Sequence, residues 1–173
     1  LGKNILSFFD FHLWANKRIF MRIKELPKGT EQKEISSVFP SIQKTIEHVY
    51  LTDHTWFQIL QGKSFDEARK WTAERGKEIV GVELIELEEN YTTLSSTFRN
   101  FLVEPENQEK QVNLFHPSYG ALETDLEEVV RHVVNHGTYH RGNIAAMIRQ
   151  LGYEGVSIDY MYYLYENSMK QKQ

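Results

Sequence analysis

The longest helical pattern in the chain, and the one that settles its fold class, is TDLEEVVRHVVNHGTYHRGNIAAMIRQLG, residues 124–152. Its apolar residues recur every three to four positions, the period of a helix with one buried face. On a wheel of about 100° per residue with His136 at zero, Val129 and Met147 fall at about 20° and His140 at about 40°. Val133 and Leu151 follow at about 60°, Leu126 and Ile144 at about 80°, and Val130 and Ile148 at about 120°. Glu127, Arg131, Thr138 and Arg149 lie opposite, as a solvated face requires. Thr124 and Glu127 have the spacing of a capping box, and Gly152 supplies a stop. The pattern predicts one long helix from 124 to about 151.

Working outward, three more long helices are predicted. Residues 4–26 place Ile5, Phe8, Phe9, Ile19, Phe20 and Ile23 on one face, and Leu26-Pro27-Lys28-Gly29 ends the run. Residues 41–61 start at Ser41 as N-cap and stop at Gly62. Residues 82–104 open on Glu83, Glu86, Glu88 and Glu89, charges suited to the positive end of a helix dipole, and close at Pro105. Residues 63–81 are polar with a lone Trp71 and predict a loop containing at most a short helix. QVNLF and ALET flank the turn HPSYG as a small hairpin before the last long helix, and residues 157–169 predict a short C-terminal helix. There is no repeat, low-complexity tract or linker, so residues 1–173 are expected to form a single all-α domain, a four-helix bundle.

Three histidines at four-residue spacing stand in the deciding stretch: His132, His136 and His140. His136 and His140 lie inside the buried arc; His132, at about −40°, lies just outside. Side chains one turn apart have Cβ atoms about 5–6 Å apart, so both imidazoles reach one point. Burial keeps imidazole neutral, and neutral imidazole is a common metal ligand. His132 and His140 are about 12 Å apart along the axis, too far for one ion. The alternative is a pair of core histidines satisfied by carbonyls or water. HGTYH lacks the glutamate of the HExxH zinc proteases, so that analogy fails.

A metal site with room for chemistry needs a third ligand. His48 borders the apolar arc of the second helix, whereas His54 points about 120° away and is expected at the surface. His12 and Asn16 fall one turn apart on the apolar face of the first helix. Buried polar groups need partners, so the pair either lines the metal pocket or forms a local hydrogen bond in the core. His116, before Pro117, is expected to be exposed.

The chain has 173 residues, no cysteine and a formal net charge of −4. Thiolate catalysis, zinc fingers and iron–sulfur clusters are excluded. Without a basic footprint, nucleic acid is not the expected partner. No apolar run approaches the roughly 20 residues that span a bilayer. The first twenty residues, interrupted by Asp10, His12, Asn16, Lys17 and Arg18, read as a helix rather than a signal peptide, which points to the cytoplasm.

The block VVNHGTYHRGNIAAMIRQLGY resembles the signature of the DinB family of bacterial four-helix metal-binding proteins. FHLWANKRI is similar to that family's first helix, SIQKTIEHVYLTDHTWFQILQG to its second and GALETDLEEVV to the entry of its ligand helix. The similarity extends over nearly the whole chain. It implies a divalent metal ion held by His48, His136 and His140 and open to water, with His132 outside the set. Asn143 stands where the family often has glutamine, a departure at that position. Related bundles include transferases and isomerases that use low-molecular-weight thiols such as bacillithiol or mycothiol.

Two functions from different classes follow. One is a metal-dependent enzyme, S-transferase-like or hydrolase-like, acting on a small-molecule substrate. The other is a non-catalytic, DNA-damage-inducible metal-binding stress protein. All-histidine ligation suits several ions, with zinc or nickel expected first. Asn16, Glu47, Asn135 and Asn143 are candidate partners for the outer nitrogens of the ligands. The resemblance also implies a homodimer, for which the tyrosine-rich segment at Tyr160, Tyr162, Tyr163 and Tyr165 offers a surface.

Overall fold

A computed structural model of the chain describes residues 3–116 and 118–170, without the side chains of Lys3 and Asn4. Six helices and one hairpin follow in order: α1 (Lys3–Lys24), α2 (Ile42–Leu60), α3 (Phe65–Glu78), α4 (Leu84–Val103), β1 (Gln111–His116), β2 (Gly120–Asp125), α5 (Leu126–Gln150) and α6 (Tyr160–Lys170). Single 3-10 turns sit at Thr30–Gln32 and Pro105–Asn107. The protein is a helical bundle of α1, α2, α4 and α5. Each of α1 and α2 packs against both α4 and α5.

Amphipathicity explains the arrangement. The apolar stripe of α5 (Val129, Val130, Val133, Ile144, Met147 and Ile148) is buried, as are Phe9, Ile19 and Ile23 of α1 and Ile42, Ile46 and Val49 of α2. From α4 come Leu87, Leu94, Phe98 and Leu102. Phe98 meets Phe9 at 4.7 Å and Phe57 at 4.9 Å between ring centroids, joining three of the four helices. Removing apolar surface of this kind from water is the main favourable term in folding.

The helix ends are chemically defined. The Ser41 hydroxyl accepts from the Lys44 N–H at the start of α2. Gly152, at φ 87°, takes the left-handed conformation that ends α5, and its N–H donates to the Arg149 carbonyl. At the other end of α5 the expected cap is corrected by one residue. Asp125, not Thr124, is the N-cap, its carboxyl accepting from the Glu128 N–H. Thr124 and Asp125 both pair in the hairpin, opposite Val112 and Gln111, and it is the Asp125 carboxyl that reaches the first turn of the helix.

The hairpin stands where the sequence places it, antiparallel, with Gln111 opposite Asp125 and His116 opposite Gly120. Pro117 lies outside the described residues. α6 begins at Tyr160 rather than 157 and packs on α1. The larger correction is α3, a full helix of 14 residues where a loop with at most a short helix is expected. Ser64 and Glu67 form a complete capping box at its start. Only Ala68 of this helix is fully buried, against α2, so its apolar periodicity is too thin to stand out. Among the described residues no helix is long and apolar enough to cross a membrane.

Candidate metal centre

α2 and α5 pack side by side, and this contact brings three histidines together. His136 Nε2 lies 3.1 Å from His48 Nε2 and 3.1 Å from His140 Nε2. One ligand nitrogen from each of His48, His136 and His140 lies within 4.8 Å of the others. His48 and His136 are half-buried and keep part of their surface in solvent, while His140 is buried. Phe39 packs on His48 at 4.7 Å and on His140 at 5.6 Å between centroids, and Tyr139 on His140 at 4.9 Å.

The donor set fits a cation. A neutral imidazole offers one N–H and one lone pair. His136 Nε2 faces two other Nε2 atoms with a single proton or a single lone pair, so hydrogen bonding can satisfy only one of the two contacts well. Three lone pairs aimed at one cation satisfy all three. Burial first, then the neighbouring imidazoles, pushes the pKa of His136 down to about 4. Burial also lowers His48 and His140, with Asp53 opposing in each case. The rings are thus held neutral near pH 7, the state that can donate a lone pair. The Nδ1 atoms of His136 and His140 are buried without a protein partner. None of the candidates Asn16, Glu47, Asn135 and Asn143 reaches them. Asn16 and Glu47 are bonded elsewhere, Asn135 is exposed, and Asn143 keeps a buried, unpartnered Nδ2.

His132 is exposed and stays outside the cluster. Its ring lies against Trp56 at 4.6 Å and 6.1 Å from that of His136. His54 departs from expectation. Its ring stacks on Trp71 at 3.8 Å and is half-buried, because α3 covers that side of α2. His116 is likewise half-buried, between Phe65 and Tyr119.

The hydrogen bonds of His12 and Asn16 go to other residues than the three histidines. The pair sits in a buried polar network with Asp53, Tyr91 and Arg141, residues that sequence reasoning missed. Arg141 Nη1 donates to His12 Nδ1 at 3.0 Å and to Asn16 Oδ1 at 2.9 Å. His12 is therefore the Nε2–H tautomer, which donates to Asp53 Oδ2 at 2.8 Å. Asn16 Nδ2 donates to the Tyr91 hydroxyl at 2.7 Å, and that hydroxyl donates to Asp53. Burial lowers His12 and pushes Arg141 down to about 10; burial, then Asp53, raises Tyr91 well above the usual phenol value. The available signal was positional. Asp53 and Arg141 each fall about 140° from the histidine of reference on their helix, at the edge of the buried arc.

A helical bundle with two histidines on its last long helix and a third on the helix beside it defines a class of candidate metalloproteins. The DinB family's sequence profile matches residues 2–172. The protein named "Protein DinB" of Bacillus subtilis (strain 168) is 41% identical over 157 residues, 91% of this chain and 91% of that protein. The chain belongs to the DinB family.

Proposed function

We propose that this protein binds a divalent metal ion through His48, His136 and His140 and is a metal-dependent enzyme. The convergence of three neutral imidazole nitrogens from two helices carries the reading. Three histidines would supply three protein ligands, the number found in catalytic rather than structural zinc sites. Zinc and nickel are the first candidates. Such an ion, when bound, would supply Lewis-acid chemistry, lowering the pKa of a water or thiol brought to it.

The chain's own residues do the rest. His48, His136 and His140 present lone pairs without first releasing protons. Phe39 and Tyr139 wall the cluster with aromatic surface, which suits a small organic substrate over a bare inorganic one. A low-molecular-weight thiol transferred to an electrophile fits this setting, and hydrolysis of a small substrate is the other reaction open to it.

Metal analysis of protein purified without a histidine tag, followed by a conjugation assay with a low-molecular-weight thiol, tests the proposal. The expected result is about one equivalent of a divalent transition metal per chain and conjugation that stops on chelation. Protein that takes up no metal overturns the reading. Stoichiometric metal with neither conjugation nor hydrolysis favours the non-catalytic metal-binding alternative.

A further inference from the structure

We infer that the buried network of His12, Asn16, Asp53, Tyr91 and Arg141 is a positioning device for the histidine cluster. The inference rests on the metal-binding reading above. The network takes residues from every helix of the bundle: His12 and Asn16 from α1, Asp53 from α2, Tyr91 from α4 and Arg141 from α5. All five are at most 7% exposed.

Its members are interleaved with the three histidines. Arg141 directly follows His140, and Asp53 lies five residues beyond His48 on the same helix. Gly137 directly follows His136, and there the approach is closest. A Cβ at Gly137 would stand 2.4 Å from His12 Cε1, 2.6 Å from His12 Nδ1 and 2.7 Å from Arg141 Nη1. The His12 ring therefore rests on the bare backbone of α5 between His136 and His140. Arg141 also donates to the Thr138 hydroxyl at 2.8 Å, pinning its guanidinium along its own helix.

A direct line of bonds thus runs from α5 to α2. Arg141 donates to His12 and His12 donates to Asp53. Sliding α5 along α2 breaks this line inside the core, where a broken polar contact is costly. The same slide separates His48 from His136 and His140. The network and the cluster are two readings of one register, and holding the first fixes the second.

The test compares cobalt(II) affinity, the visible absorption of the cobalt(II)-loaded protein and Tm across variants. Tyr91→Phe removes one hydroxyl and keeps the ring in its packing against Phe20 and Tyr50. Asp53→Asn and Gly137→Ala strike the network at its centre and at its contact with α5. All three keep every histidine of the cluster. Weakening by about 10- to 100-fold, with a changed absorption spectrum, is the expected result for each variant that folds. Leu102→Ala, on α4 about 16 Å from Tyr91, is the control. It lowers Tm by opening a cavity and should leave affinity and spectrum as in the wild type.

Wild-type affinity and spectrum in folded Tyr91→Phe and Asp53→Asn overturn the inference. Equal weakening in Leu102→Ala overturns it too, because general instability then explains the loss. A wild-type chain that does not bind cobalt(II) instead brings down the metal reading, and this inference with it.

Discussion

At Gly137 the helix carries no Cβ because the His12 ring occupies its place. The position falls at about 100° on the α5 wheel, inside the buried arc. Glycine is unfavourable in a helix interior by roughly 1 kcal/mol against alanine, so a buried one marks a close approach. That signal was legible in HGTYH, but its cause was not, because it lies on α1. The pairing of His136 with His140 on one face was legible for the opposite reason: both belong to one helix, where spacing fixes geometry. Five buried or half-buried histidines have pKa values lowered by burial: His12, His48, His54, His136 and His140. Each binds a proton more readily in the unfolded chain, near 6.5, than in the folded one, where His136 lies at about 4. The unfolded state therefore takes up more protons between these values. Stability is fully present above about 6.5 and falls as pH drops toward about 4. Urea denaturation of the metal-free protein should give a lower midpoint at pH 5 than at pH 7.5. An unchanged midpoint would show that these histidines are not buried as neutral groups.

The long helices were readable because each carries a broad apolar stripe and strong end signals. α3 was not, since it covers a neighbour with one fully buried alanine and several half-buried side chains. Ser64 and Glu67 alone announced it. Missing α3 also misplaced His54, since the residue that faces away from the bundle faces this helix instead. The start of α5 was displaced by one residue because Thr124 and Asp125 are both good caps, and only the hydrogen bond from the Glu128 N–H to the Asp125 carboxyl distinguishes them. Asp125→Ala should cost about 1 kcal/mol of stability through loss of the N-cap. Thr124→Ala should cost clearly less, because its side chain caps nothing. Chemical denaturation of the two variants compares them, and a larger loss in Thr124→Ala would contradict the assignment.

At the scale of the molecule, α6 leaves Met161, Tyr162, Tyr165 and Met169 each at least 51% exposed, while Tyr163 packs inward on Phe11 and Trp14. We expect this surface to pair with a second copy. Light scattering at micromolar protein should report about twice the 20.4 kDa chain mass. A value near the single-chain mass would show that α6 only covers α1. His48, His136 and His140 meet at the contact between α2 and α5, with His132 beside them. Calorimetric titration of a divalent metal into the chelator-stripped wild type and four single alanine variants separates their roles. One site per chain is expected in the wild type. His48→Ala, His136→Ala and His140→Ala should each lose most of the affinity, while His132→Ala should keep it. Loss of the site in His132→Ala with retention in His140→Ala would show that the ion is held by a different set of histidines.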